Sequence, residues 1–270
     1  MEKIKAGIIG CGVIGSEIAS ACVTVLSKKI ELVALYDIDK QKSAGLSKLI
    51  KKDVAVDAPD ELYDKSDFVI EAATGGVARE TVKKVIEKRK SVLVMSVGGL
   101  IESQDLIEEA KKKNIKLFFP SGAICGIDGL KSAGVSKIES VTLTTKKPPR
   151  GLAGAPYLKE KNIDVNSIKS ETVVFSGSAL EAVAGFPKNV NVSSILSLTG
   201  IGAKKTKVKI VTSPEFKKNA HEIEIIGDFG RMTTRTENVP SEKNPKTSKL
   251  AALSAIATLT AAVESVRFGT

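Results

Sequence analysis

The sequence predicts an α/β protein, with an N-terminal doubly wound parallel sheet and a second α+β domain built on a largely antiparallel sheet. Three observations carry this reading. Up to residue 120, short apolar runs alternate with amphipathic stretches, which is the pattern of βαβ units. A glycine-rich turn, Gly10-Cys11-Gly12-Val13-Ile14-Gly15, separates the first apolar run from the first helical one. After Ser121 the runs lengthen and alternate polar with apolar residues, as strands with one solvated face do.

In order, IKAGIIG reads as the first strand, SEIASACVTVLS as the helix after it and ELVALYD as the second strand. A short AVD strand, then DFVIEAA, SVLVMSV and KLFFPS complete the parallel sheet, with GGVARETVKKVIEKR and SQDLIEEAKKKN as helices between them. Farther on, KIESVTLTTKKP, KSETVVFSGS, KKTKVKIVTSP and HEIEIIGDFGRMTTRTENV read as strands, and SALEAVAGFP and VNVSSILSLTGIG as helices covering one face. NPKT reads as a turn before a final Ala- and Leu-rich helix capped by Thr247 or Ser248. The expected division is a first domain of residues 1–120, on which a C-terminal helix within 245–270 packs back, and a second of residues 121–244.

Hydrophobic residues make up 42% of the chain and charged residues 27%, as in folded globular proteins. No apolar stretch is long enough to span a membrane, and the N-terminus has no signal-peptide cleavage pattern, so the expectation is a cytoplasmic protein with no membrane partner. Three cysteines without metal-type spacing and a single histidine argue against a disulfide framework and against a metal. The net charge of +10 comes from lysines scattered over helix faces, as in VKKVIEKRK, and the chain has no Trp and three Tyr to stack on bases. Nucleic acid is therefore not an expected partner. Positive potential would instead draw an anionic cofactor and substrate.

The glycine turn has the GxGxxG spacing of a Rossmann dinucleotide-binding loop, and each glycine has a mechanical reason. Gly10 permits the tight turn, Gly12 lets the backbone approach a pyrophosphate, and Gly15 lets the helix pack close to the strand. The helix N-terminus at Val13 and Ile14 offers amide donors to the phosphates. Asp37, at the end of the second strand, stands where a carboxylate accepts hydrogen bonds from the adenosine ribose. That favours NAD, while Lys40 and Lys42 keep NADP open, so the cofactor is NAD or NADP. Ala73 and Thr74 after one strand, and Ser96, Val97 and Gly98 after the next, are small residues placed where the cofactor crosses the sheet edge.

Pro120-Ser121-Gly122-Ala123-Ile124-Cys125-Gly126 lies where the two domains meet in the sequence. Either its amides and the Ser121 hydroxyl hold a carboxamide or a substrate carboxylate, or Cys125 is a nucleophile that captures an aldehyde, or Cys125 is a buried structural thiol. His221 is the only side chain whose ordinary pKa lies near neutrality, and a dehydrogenase of alcohols or amines must move a proton, so the role falls to it. A lysine replaces it only with a strongly lowered pKa. Phe186-Pro187-Lys188-Asn189-Val190-Asn191-Val192 either touches the nicotinamide ribose or caps a helix. Lys146-Lys147-Pro148-Pro149 is a basic strand end that either faces a carboxylate or, the preferred reading, is solvated.

GIIGCGVIG, PSGAICGIDGL, TTKKPP, FPKNVNVSS, NAHEIEIIGDFG and NPKTSKLAALS, in that order, resemble the L-aspartate dehydrogenase family over nearly the whole chain. The resemblance implies NAD(P)-dependent oxidation of L-aspartate to iminoaspartate by hydride transfer from C2, the product hydrolysing to oxaloacetate and ammonia or feeding quinolinate and NAD synthesis. It implies that His221 is the catalytic residue, able to bind a carboxylate when protonated, and that Ala123 and Asn189 contact the nicotinamide. It also implies a Rossmann domain with an α/β dimerisation domain, hence a homodimer. The substrate is L-aspartate or another small dicarboxylate amino acid, for whose carboxylates Ser121, Gly122, Asn191 and Lys147 are the candidate anchors. The alternative is a semialdehyde dehydrogenase with Cys125 as nucleophile and His221 as its base.

Overall fold

A computed structural model describes residues 2–187, 190–241 and 244–270, which divide into two compact units. The first comprises Met1–Pro120 with Ala251–Arg267, and the second Ser121–Leu250 with Phe268–Thr270.

In the first unit, β1 (Ile4–Ile9), β2 (Ile30–Tyr36), β3 (Phe68–Glu71), β4 (Ser91–Val94) and β5 (Leu117–Phe118) form a wholly parallel sheet in the order β2-β1-β3-β4-β5. The short apolar runs form these strands because both sheet faces are covered, so no polar alternation is needed: all four residues of β3 are buried. Between the strands lie α1 (Val13–Val23), α2 (Lys40–Leu49), α3 (Pro59–Lys65), α4 (Gly75–Glu87) and α5 (Gln104–Lys112). The expected AVD strand does not form. Its place beside β2 is held by one bridge, Leu35 to Ala55, with Val54 and Val56 bonding Leu35 on either side. The run is too short, and Pro59 starts α3 too soon after it, for a longer ladder.

The second unit contains α6 (Ile127–Ala133), β6 (Ile138–Lys147), α7 (Pro156–Glu160), β7 (Thr172–Ser178), α8 (Ala179–Gly185), α9 (Asn191–Thr199), β8 (Lys207–Thr212), β9 (Asn219–Gly227) and β10 (Gly230–Asn238). Its sheet runs β10-β9-β6-β8-β7, antiparallel except for the β6·β8 pair. The segment 221–239 folds back as a hairpin, with Gly227 paired to Gly230 at its tip. Helix α8 opens on a capping box, in which Ser178 accepts from Glu181 N while the Glu181 carboxylate accepts from Ser178 N.

The turn expected at NPKT is instead a short strand, β12 (Asn244–Ser248), paired antiparallel with β11 (Pro240–Ser241). The Ser248 hydroxyl, an expected helix cap, donates to Asn238 Oδ1 at 2.6 Å. Pairing with a neighbouring segment overrode the local turn chemistry of Asn-Pro. The last helix, α10 (Lys249–Val263), buries Ala255 and Leu259 in the cluster of Ile8, Ile18, Leu35 and Ile70 that covers one face of the parallel sheet.

Leu259 is fully buried there. Leu259→Ala is expected to lower unfolding free energy by about 2–5 kcal/mol in urea titration, through lost transfer energy and the cavity left behind. A change of a few tenths would show that α10 is not part of this core.

Candidate active site

The first group of candidate residues surrounds the turn after β1. Gly10 has φ +96°, in the left-handed region, and a Cβ on it would lie 2.5 Å from Ala72 O. A Cβ on Gly15 would lie 1.9 Å from Gly10 O, so α1 crosses the strand end with no room for a side chain. Gly12 differs, because a Cβ there would meet nothing within 4 Å. This open space above the first turn is where a phosphate can approach the backbone. The amides of Val13, Ile14 and Gly15 precede the first intrahelical bond, Ser16 N to Gly12 O at 2.9 Å, and no acidic residue occupies the first turn to compete with an anion.

Asp37 lies just past β2, where its carboxylate is held by two backbone donors. Oδ2 accepts from Cys11 N at 2.8 Å and Oδ1 from Asp39 N at 2.9 Å. The first bond ties the acidic residue to the glycine turn. Lys40 and Lys42 are each ion-paired, to Asp57 at 2.6 Å and to Asp39 at 3.8 Å. Burial pushes the Cys11 and Cys22 thiols up to about 12, Asp37 adding to the effect at Cys11, so neither is a nucleophile near neutrality.

Ala73, Thr74, Ser96, Val97 and Gly98 lie at the carboxyl ends of β3 and β4. The amides of Ala73 and Ser96 point inward, donating to the two oxygens of Glu71 at 2.8 and 2.9 Å. Ser96 and Val97 are buried, and Thr74 occupies the N-cap position of α4 without a side-chain cap bond.

The second group lies on the mixed sheet. His221 on β9 is 5% exposed and sits between Thr145 of β6 and Thr236 of β10, its register partners on either side. Thr145 Oγ1 and His221 Nδ1 are 3.0 Å apart. A donating Thr145 leaves the ring proton on Nε2, and an accepting one leaves the Nε2 lone pair for chemistry. Lys147, two residues past Thr145, shares that face by strand alternation. Thr212, its partner on β8, donates to Lys147 O at 2.8 Å. Thr236 Oγ1 and Asn238 Nδ2 both donate to Ala123 O, each at 3.0 Å, so that carbonyl is saturated.

The expectation of a solvated Lys146-Lys147 end is corrected. Lys146 pairs with Glu171 at 3.1 Å and Glu222 at 3.8 Å, whereas Lys147 is half-buried on the histidine face. Desolvation lowers Lys147 to about 8. His221 is lowered to about 3, mainly by desolvation and then by the nearby Lys147 charge. Near neutral pH the imidazole is therefore uncharged. Cys125 is exposed, which removes the buried structural option. Ser121 and Gly122 are half-buried, and Asn191 is exposed at the start of α9. Asn189 lies outside the described residues.

Sequence reading passed over Thr145, Thr236, Asn238 and Glu71. For Thr145 a signal existed: it lies two residues before Lys147 in TTKKPP, hence on the same strand face. Among the described residues no group of His, Cys, Asp and Glu could hold a metal ion.

A parallel sheet with a dinucleotide turn, followed by a mixed sheet bearing one buried histidine, defines a class, the nicotinamide-dependent dehydrogenases of two α/β units. Residues 10–120 match a family model described as "Homoserine dehydrogenase, NAD binding domain", and residues 128–262 one described as "Aspartate dehydrogenase, C-terminal". An L-aspartate dehydrogenase of Methanosarcina barkeri is 46% identical over 99% of this chain and 100% of its own. That of Nitrosopumilus maritimus is 42% identical over 94% and 95%. The crystal structure of aspartate dehydrogenase from Thermotoga maritima superposes with a TM-score of 0.75 at 28% identity, covering 99% of this chain and 100% of that one. The chain belongs to the aspartate dehydrogenase family.

Two predictions test this geometry. Gly12→Ala is expected to leave the melting temperature unchanged but to raise the Kd for NADH about tenfold or more, whereas Gly15→Ala destabilises the fold by about 1–3 kcal/mol through overpacking. Fluorescence titration and thermal melts separate the two effects, and equal behaviour of the variants would refute the assignment.

The second concerns pH. Below pH 6.5 the unfolded chain protonates His221 while the folded chain does not, so this residue's contribution to stability is lost as pH falls from 6.5 toward 3. Relative to His221→Asn, the parent protein should lose up to about 1.4 kcal/mol per pH unit between pH 6.5 and 5. A difference that stays flat in urea titrations would mean an ordinary histidine.

Proposed function

We propose that this protein is an NAD(P)-dependent L-aspartate dehydrogenase, oxidising L-aspartate to iminoaspartate, which hydrolyses to oxaloacetate and ammonia or feeds quinolinate synthesis. The observation that carries this reading is 46% identity, over 99% of the chain, to an L-aspartate dehydrogenase. Bound NAD or NADP would supply the acceptor for the hydride from C2. The chain's own residues do the rest. The turn from Gly10 to Gly15 holds the pyrophosphate, Asp37 the adenosine ribose, and the loops at Ala73-Thr74 and Ser96-Val97-Gly98 the crossing. Ala123 and Asn189 contact the nicotinamide end. Ser121, Gly122, Asn191 and Lys147 are the carboxylate anchors.

Oxidation of the ammonium form to an iminium releases one proton besides the hydride, and that proton needs an acceptor. His221 takes that role. Its basicity is held low by burial and by Lys147, and the two carboxylates of a bound aspartate oppose both effects by bringing negative charge to the face. A second reading has a specific observation behind it: Lys147, lowered to about 8, is itself able to accept a proton under mildly alkaline conditions. Arginine keeps the cation but cannot act as a base. Retained turnover in Lys147→Arg would mark an anchor, and abolished turnover with little change in KM for aspartate would mark a base.

The protein is further proposed to work in the cytoplasm as a homodimer, paired through the second unit. Among the described residues no helix is long and apolar enough to cross a membrane. Light scattering in solution decides the oligomer, and a monomer at micromolar concentration would refute the pairing.

His221→Ala is expected to lower kcat by about 10²–10⁴-fold with NADH binding retained, measured by absorbance at 340 nm with L-aspartate. Cys125→Ala should turn over normally. Loss of aspartate oxidation in a folded Cys125→Ala protein would return the semialdehyde mechanism to consideration.

A further inference from the structure

Glu71 is fully buried at the carboxyl end of β3, and nothing in the reaction just described uses it. Its two carboxylate oxygens are divided between two loops. Oε1 accepts from Ala73 N, in the connection to α4, at 2.8 Å, and Oε2 accepts from Ser96 N, after β4, at 2.9 Å. Its backbone carbonyl also takes Met95 N at 2.9 Å. The Ala72–Ala73 peptide is the one on which Gly10 rests: a Cβ on Gly10 would lie 2.5 Å from Ala72 O and 2.8 Å from Ala73 N. One buried side chain thus links the phosphate turn, the β3 loop and the β4 loop.

The two loops also meet directly. A Cβ on Gly99 would lie 1.9 Å from Gly75 O, so the backbones touch just beyond the carboxylate. Packing alone fixes how close they come; the carboxylate fixes how they slide, because each oxygen accepts along a defined direction. Only a carboxylate supplies two equivalent acceptors here. Burial raises the Glu71 pKa above the ordinary carboxylate value, and the amides of Ser96 and Ala73 with the Ser96 hydroxyl offset only part of that rise.

We propose that Glu71 is a positioning residue for the dinucleotide: by accepting from Ala73 N and Ser96 N together, it sets the relative placement of the loops that the cofactor crosses. The inference rests on the dehydrogenase reading, because it takes these loops to be the crossing.

Glu71→Gln is the direct test. The amide has the same shape but one acceptor oxygen, and its NH2 faces one of the two backbone donors, so one tether is lost. Expected is a rise of about tenfold in KM for NAD and in Kd for NADH, with KM for aspartate changed less than about twofold. A residue that only stabilised the fold would lower the melting temperature and leave the NADH Kd, read far below it, within twofold; that result overturns the proposal.

Should Glu71→Gln not fold, amide hydrogen exchange on the unaltered protein without cofactor decides. Protection at both Ala73 and Ser96 supports the proposal, and exchange at open-loop rates at either overturns it. If the unaltered protein binds neither NADH nor NADPH, the dehydrogenase reading falls and the inference with it; if it binds and Glu71→Gln binds equally, the inference alone falls.

Discussion

Helix α1 leaves β1 through a turn that has no room for a side chain at Gly10 or Gly15, and much of the first unit depends on that contact. The Gly10 carbonyl sits where a Cβ of residue 15 would be, and Gly10 itself rests on the peptide between Ala72 and Ala73. Backbone therefore touches backbone along the carboxyl edge of β1 and β3. The consequence is close backbone packing with open space above Gly12. A dinucleotide loop needs that combination, because amides aimed at a phosphate help only if they do not have to be reoriented.

The second unit solves a different problem, placing one ionisable ring away from water without leaving it unbonded. Strand alternation on β6 and β9 puts Thr145, Lys147 and His221 on one face, and Lys146 with Glu222 on the other. The outer face is laced by ion pairs, Lys146 to Glu171 and Glu222, and Arg235 to Glu222 and Glu237. The inner face keeps a cation and a neutral imidazole in low-dielectric surroundings, and the Lys147 charge adds to burial in disfavouring protonation of His221.

The expected layout of the parallel unit was readable because its signals are local. Apolar runs, helix periodicity and glycine spacing each depend on neighbours within one or two turns of chain. Where the reading went wrong, the deciding contact lay outside the segment that was read. The AVD segment lost its strand to the early start of α3, and NPKT became a strand because Pro240–Ser241 offered it a partner. Lys147 looked solvated beside Lys146, yet neighbouring residues on a strand face opposite ways, and only the sheet told which side was buried.

By itself, the sequence determined that a nucleotide turn opens the chain, that Asp37 follows at the end of the second strand, and that a single histidine begins a strand among alternating residues. Those are properties of spacing and residue type. Tertiary structure decided that His221 meets Thr145 and lies near Lys147, that Ala123 O is filled by Thr236 and Asn238, and that Glu71 ties two loops together. The reason is physical: protonation states and hydrogen-bond capacity depend on burial and, apart from the Glu71 bond to Ala73, on partners 25 to 115 residues away, which no local pattern encodes.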